Sequence, residues 1–265
     1  KFAKEKNLMV LQPHKARDSD FLEKINQLQP DVIVTCAYGQ ILTSKFLSIP
    51  KRATINIHPS LLPQYRGATP VQSAVLNGDS STAITILFTV KALDSGNIIL
   101  QKNYSIDSQE TAEQLQNRLF CESSSLLQEA LTKLEDPNFI GTPQDESKVS
   151  LCHKITKEQG LINWQSTQKM IYNKFRAFQP WPGIYTHLQK KRIIISSLDT
   201  TPPNENQETQ ELTPGTSFFD KKQNCIFIKS KDKWLRIFHL KPEGKKVMSA
   251  HEFWNGFNQK KDKFL

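Results

Sequence analysis

Two polar side chains at the end of a short apolar stretch have the types and spacing expected at the rim of an active site. Residues 53–57 read as a strand, and Ile55 and Ile57 alternate with Asn56 and His58. Since side chains alternate across a strand, the amide of Asn56 and the imidazole of His58 leave it on the same side. The alternative is an ordinary strand end with two polar residues facing solvent, and the pair alone does not separate the two interpretations.

A carboxylate further along the chain can complete this pair. Asp94 lies in the turn 91–96, which follows the apolar run 83–90. No serine or cysteine is arranged as a nucleophile, so the trio suits acyl transfer to an amine that the substrate brings. The Asn56 amide and a protonated His58 would donate to the oxyanion of a tetrahedral intermediate. Asp94 would favour the imidazolium and accept the proton of the amine.

The elements that must position these residues alternate between strands and helices. Strands are predicted at 31–38, 53–57, 83–90 and 97–106, with helices at 19–28, 44–47, 70–77 and 111–134. This order predicts an α/β fold with an open, mostly parallel, Rossmann-like sheet. The continuous apolar run 31–38 predicts a strand buried on both faces. Ligands of such sheets bind beyond the carboxyl ends of the strands, where Tyr38, Gly39 and 56–63 fall.

The second half of the chain has a different pattern. A helix at 167–178 precedes short strands at 184–188, 192–197, 215–219, 225–229 and 234–240. Such strands predict a smaller β-barrel of the oligonucleotide-binding type. The polar stretch 201–212 predicts a mobile loop, and 249–259 a helix with Phe253, Trp254 and Phe257 on one side. We therefore expect a catalytic domain over 1–140, a linker over 141–152 and a basic β-barrel domain over 153–265.

Charge is distributed unevenly between the two halves. Residues 1–150 contain 15 Lys and Arg against 16 Asp and Glu, whereas 151–265 contain 20 against 10. The formal net charge of +9 therefore comes from the second half, which is typical of a module that binds a polyanion. A well-solvated lysine-rich surface is the alternative. The four cysteines and six histidines show no ligand spacing, so no metal is expected, and no apolar run approaches a membrane span.

Several strings resemble the signature of the folate-dependent formyltransferases. They are Asn56-Ile-His58-Pro-Ser60-Leu-Leu-Pro63, Tyr65-Arg66-Gly67 and Leu93-Asp94-Ser-Gly96, together with Ala37-Tyr38-Gly39, which resembles the folate-side loop. In the second half, 176–182 and 240–250 resemble family members that act on an initiator methionyl-tRNA. The resemblance covers nearly the whole chain. Because the family begins with a strand and a glycine-containing loop, we expect this chain to lack its N-terminal part.

The resemblance implies a substrate pair and a set of site residues. The donor would be 10-formyltetrahydrofolate, and the acceptor would be the α-amino group of initiator methionyl-tRNA, for translation initiation. Catalytic roles would fall on Asn56, His58 and Asp94. The donor pocket would be lined by Ser60, Leu61, Leu62, Pro63, Tyr38 and Gly39.

Other features of the sequence leave alternatives open. The chain could instead formylate an amino-sugar nucleotide, or be a non-catalytic RNA-binding remnant of the family. Arg66 would orient the folate or the tRNA end, or pair with a neighbour. Lys245 and Lys246 would contact phosphates or only solvent. We expect a monomer without a membrane partner, in a bacterial cytoplasm or, alternatively, an organelle matrix.

Overall fold

The chain folds into two compact units. A computed structural model describes residues 1–203, 212–256 and 264–265. The first unit comprises Lys1–Pro70, Ser81–Ser105 and Gln116–His153, and the second comprises Val71–Ser80, Ile106–Leu115 and the described part of Lys154–Leu265. Two short segments of the first half therefore belong to the second unit. The domain boundaries predicted at 140 and 153 stay a prediction.

The helices follow the apolar patterns of the sequence. They are α1 Phe2–Glu5, α2 Ser19–Gln27, α3 Ser44–Leu47, α4 Pro70–Asn77, α5 Ala112–Lys133, α6 Gln168–Ala177 and α7 Ala250–Gly256. The long helix predicted at 111–134 is confirmed, and its stripe through Leu115, Leu119 and Ala130 is fully buried. No helix among the described residues is both long enough and apolar enough to span a membrane.

The first unit contains a mixed four-stranded sheet. Its strands are β1 Val32–Cys36, β2 Ala53–His58, β4 Ser81–Phe88 and β5 Ile98–Ser105, in the order β1-β2-β4-β5. Only β1 and β2 are parallel, while β4 is antiparallel to both β2 and β5. The prediction of a mostly parallel sheet is therefore wrong for the described strands. The connection between β4 and β5 is too short for the crossover of roughly a dozen residues that a parallel pair needs.

The prediction that the first strand is buried on both faces is also wrong. Strand β1 lies at one edge of the described sheet, and only Thr35 is buried within it. Val34 is half-exposed and Cys36 is exposed. A continuous apolar run predicts a strand. Whether each face of that strand is covered depends on the position of the strand in the sheet.

The second unit contains a six-stranded antiparallel sheet. Its strands are β7 Ile184–Leu188, β8 Lys191–Asp199, β9 Ser217–Asp220, β10 Cys225–Lys229, β11 Trp234–Pro242 and β12 Met248–Ser249. The order is β7-β8-β11-β10-β9, with β12 paired to β11. Within the described ranges, the end strands β7 and β9 are not paired with each other, so a closed barrel is not shown. The separate antiparallel sheet of short strands is confirmed.

Two remaining elements complete the description. Strands β3 Arg66–Gly67 and β6 Leu151–Cys152 form a small parallel pair in the first unit. Helix α7 matches the start of the helix predicted at 249–259, with Phe253 buried. Phe257 and the rest of that helix lie outside the described residues, as does 204–211 of the predicted loop.

Candidate active site

The end of strand β2 holds both polar residues that the sequence singled out. Ile55 and Ile57 are buried in the core, so the alternation of the strand places Asn56 and His58 on its other face. His58 is only 4% exposed and Asn56 is half-buried. The interpretation of these residues as an ordinary solvent-facing strand end therefore does not hold for His58.

The side-chain amide of Asn56 is oriented by a hydroxyl on the neighbouring strand. Thr35 is the parallel partner of Asn56, and its Oγ1 lies 2.9 Å from Asn56 Oδ1 and 3.1 Å from the Ile55 carbonyl oxygen. This contact places the Nδ2 group of Asn56 on the side away from Thr35. No acceptor among the described residues bonds that Nδ2, so its hydrogens are available to a ligand.

The imidazole of His58 is held by a backbone carbonyl and faces the predicted carboxylate. Its Nε2 lies 2.9 Å from the carbonyl oxygen of Tyr65, and since a carbonyl only accepts, Nε2 carries the hydrogen. Its Nδ1 lies 3.7 Å from Asp94 Oδ2. Burial lowers the pKa of His58; Asp94 and the Tyr65 carbonyl act in the opposite direction without overcoming it. Burial thus favours the neutral imidazole, in contrast to the imidazolium expected from the sequence.

Asp94 is brought to this histidine by a backbone bond from a distant loop. The amide N–H of Gly67 donates to Asp94 Oδ2 at 2.9 Å. Gly67 has a φ of +127°, and a Cβ at this position would lie 2.1 Å from the Cys152 carbonyl oxygen. Only glycine therefore fits beside Cys152 here. The structure therefore brings His58 and Asp94 together and places Asn56 two residues before His58 on the same strand, all in one unit.

The predicted donor loop separates into inward-facing and outward-facing residues. Ser60 and Leu62 are buried, and the Ser60 hydroxyl donates to the Gln64 carbonyl at 2.7 Å. Leu61 and Pro63 are part-exposed. Gln101 Nε2 donates to the Leu62 carbonyl at 3.1 Å, which fixes the loop from strand β5. Ser60 and Leu62 thus maintain the loop, and the other two present surface.

The loop after strand β1 lies at the same edge of the sheet. Tyr38 is 40% exposed, and Gly39 has a φ of +69°, with open space where a Cβ would stand. A cleft of about 610 Å³ lies elsewhere, lined by Arg17, Ser19, Leu22, Thr43, Ser44 and Lys45, and includes none of the predicted site residues. The described residues contain no cluster of three or more potential metal ligands.

Sequence reasoning missed four contributors to this site. Thr35 orients Asn56, Tyr65 and Gly67 act through backbone groups, and Gln144 donates to the backbone at Asp94. Arg66, whose role was open, pairs with Gln144 and Glu146. Tyr65 and Gly67 carried a signal, because both lie in the string Tyr65-Arg66-Gly67 that resembles the family signature.

Comparisons with known proteins define the class of this chain. Residues 1–131 match the family model described as "Formyl transferase", and residues 154–258 match "Formyl transferase, C-terminal domain". The two matches together cover most of the chain, which belongs to the formyl transferase family.

Curated relatives carry a more particular name. The methionyl-tRNA formyltransferase of Thermodesulfovibrio yellowstonii is 35% identical over 266 residues, which span 100% of this chain and 83% of the relative. Seven further relatives with the same name are 32% to 39% identical.

Solved structures share the fold at lower identity. HypX from Aquifex aeolicus in complex with tetrahydrofolic acid gives a TM-score of 0.67 at 18% identity, over 88% of this chain and 40% of that chain. An N-formyltransferase from Helicobacter canadensis, in complex with folinic acid and dTDP-3-aminofucose, gives 0.65 at 18% identity, over 89% and 80%. At this identity the likeness is one of fold alone.

Proposed function

We propose that this protein transfers a formyl group from 10-formyltetrahydrofolate to the α-amino group of initiator methionyl-tRNA. The observation that carries the proposal is the approach of His58 to Asp94, with His58 Nδ1 3.7 Å from Asp94 Oδ2, at the end of the strand that also carries Asn56. Membership of the formyl transferase family and the shared name of the curated relatives support it. A bacterial cytoplasm is the location we propose with this activity.

The exposed residues of the two site loops fit a flat, partly apolar donor. Leu61, Pro63 and Tyr38 present apolar surface, and Gly39 has open space where a Cβ would stand. We assign the folate to these four residues, with Ser60 and Leu62 as the support beneath. When bound, the donor supplies a formyl group attached to nitrogen.

Asn56 is assigned the electrostatic part of the catalysis. Its Nδ2 would donate to the formyl oxygen as negative charge develops there, and such a donor is worth about 3–4 kcal/mol of barrier. Because Thr35 already holds the amide by its Oδ1, little reorganisation is needed during the reaction.

Asp94 and His58 are assigned the proton. In the neutral form of His58 that burial favours, a carboxylate oxygen of Asp94 faces the unprotonated Nδ1 across 3.7 Å. The amine loses a proton as it becomes an amide. Asp94 receives this proton because its side chain is better exposed, at 16% against 5% for His58. His58 Nδ1 then shares the proton until it passes to the departing folate nitrogen.

The basic second half is assigned the tRNA. Residues 151–265 carry 20 basic and 10 acidic residues, and Lys245 and Lys246 are exposed in the turn after β11. A polyanionic acceptor explains this excess, whereas a small sugar nucleotide does not require it. The oligonucleotide-binding-like barrel is part of this proposal; the short antiparallel strands of the second unit support it.

Formyl transfer by the purified chain tests the function directly. Charged initiator tRNA and an amino-sugar nucleotide should be compared as acceptors, with 10-formyltetrahydrofolate as donor. We expect transfer to the tRNA only. Transfer only to the sugar would support the alternative that the fold neighbour from Helicobacter canadensis raises, and tRNA binding without turnover would support a non-catalytic remnant.

The affinity for tRNA should fall steeply with salt. Replacing both Lys245 and Lys246 with alanine should reduce the logarithmic salt slope by about 0.7–0.9 for each phosphate that is no longer neutralised. Filter binding across a salt series measures the slope. An affinity of the unmodified protein that hardly changes with salt would contradict the assignment of the basic half.

Thr35→Val should lower kcat for formyl transfer by about tenfold, the value of one hydrogen bond of about 1–1.5 kcal/mol. Valine keeps the shape of the side chain but no longer orients the Asn56 amide. Thr54→Val is the matched control, because the buried Thr54 hydroxyl on the same sheet has no hydrogen-bond partner in the described structure. Equal rates for the two variants would contradict the role of Thr35.

A further inference from the structure

The side chain of Gln144 connects the two loops that carry the site. Its Nε2 donates to the backbone carbonyls of Asp94 and Gly96, at 2.8 Å each. Its Oε1 accepts from Nε and Nη2 of Arg66, at 3.0 and 2.8 Å. We propose that Gln144 is a positioning residue, which fixes Asp94 for proton transfer. This inference rests on the proposed function, because it takes Asp94 to be the proton acceptor.

Backbone pairing explains how a residue of the predicted linker reaches the site. Thr142 and Ile98 exchange two backbone hydrogen bonds of 2.8 Å, next to the start of strand β5. Gly141 precedes this pair with a φ of +67°, and a Cβ there would lie 2.6 Å from the Ile98 carbonyl oxygen. The stretch is therefore fastened to the strand that begins just after Gly96, which places Gln144 beside the Asp94 turn.

The backbone of Asp94 has an uncommon conformation, which Gln144 helps to hold. It has a φ of +45°, in the left-handed region that side chains other than glycine rarely adopt. Gln144 binds carbonyls on both sides of this turn with one amide group. The carboxylate is held by Gly67, the residue after Arg66, and Arg66 is itself bound to Gln144. The backbone of Asp94 is thus bound directly to Gln144. Its carboxylate is linked to the same side chain through Gly67 and Arg66.

The acidic partner of Arg66 has a different environment from Gln144. Glu146 Oε1 lies 2.7 Å from Arg66 Nη2, but its side chain is 71% exposed, whereas that of Arg66 is 7% exposed. Glu146 is not bonded to the Asp94 turn in the described structure. Glu146→Gln is therefore a matched control, which alters the same arginine without touching Asp94.

Gln144→Glu removes the amide donor of this residue. Glutamate keeps the length of the side chain and an acceptor for Arg66, but it cannot donate to the two carbonyls. We expect kcat to fall by about tenfold and KM for the tRNA to stay within about twofold. Circular dichroism and thermal unfolding show whether the Gln144→Glu protein folds. If its new carboxylate prevents folding, the neutral variant Gln144→Met serves for the same test.

A double-mutant cycle with Asp94→Asn shows whether Gln144 acts through Asp94. If it does, adding Gln144→Glu to Asp94→Asn should change kcat by less than about twofold. A merely structural role would give the same loss in both backgrounds, and that result would overturn the inference, as would wild-type kcat in Gln144→Glu. Absence of formyl transfer by the unmodified protein would instead contradict the proposed function, so the two failures are distinguishable.

Discussion

Asn56→Ala should lower kcat/KM for formyl transfer by at least about a hundredfold, as expected for the loss of one preorganised oxyanion donor. The Nδ2 group is the part of this residue that no described residue engages, while Thr35 holds its Oδ1 at 2.9 Å. Alanine removes both, and steady-state kinetics with charged initiator tRNA measures the effect. Most of the loss should appear in kcat, because the interaction strengthens as charge develops on the formyl oxygen.

The matched control is Asn103→Ala. Asn103 lies exposed on strand β5 of the same sheet, so its removal should leave both rate and stability close to the original. Asn56 is half-buried at the strand end, and the thermal unfolding of its variant shows whether the site remains folded. An Asn56→Ala protein that folds and retains more than about a tenth of the activity would contradict the oxyanion role.

Asp94→Asn should also lower kcat by at least about a hundredfold, since the proton of the amine then has no carboxylate to receive it. Asparagine keeps an oxygen for the Gly67 N–H, so the turn should keep its shape. Asp31→Asn is the matched control, because Asp31 is 75% exposed and its ion pair with Lys51 contributes little. A folded Asp94→Asn protein with near-normal turnover would rule out the assigned role.

The same variant should change the titration of His58 in a defined direction. The pKa of His58 is lowered by burial, and the Asp94 carboxylate acts to raise it. Removing that charge should therefore lower the pKa of His58 further, which NMR titration of the imidazole measures. An unchanged or higher value would contradict the electrostatic coupling of the pair.

The lowered pKa also has a consequence for stability. Because the folded chain resists protonation of His58, the unfolded chain binds the proton first as the pH falls below about 6.5. The contribution of His58 to the free energy of unfolding is therefore fully present above about pH 6.5, and it is lost as the pH falls toward the folded-state pKa. Loss of the Asp94 charge should extend the pH range over which this contribution is lost to lower pH.

Local patterns were sufficient to predict much of the first unit. The period-two alternation identified β2, and the apolar stripe identified α5 to within one residue at each end. Orientation within the sheet was not predictable in the same way, because an apolar run carries no direction. The antiparallel pairing of β4 with β5 follows from the short connection between them, whose length the sequence already shows.

The sequence by itself determined which side chains could carry the chemistry. Asn56, His58 and Asp94 were identifiable because amide, imidazole and carboxylate groups are distinctive and followed predicted strands. The uneven charge likewise required no structure. Tertiary structure alone decided that the pKa of His58 is lowered, since burial depends on the packing around the residue. It also decided which groups hold the site. Every residue has a backbone carbonyl and every residue except proline an N–H, so residue type does not show which of them take part. Gln144 meets Asp94 only when residues 50 apart in sequence are folded together.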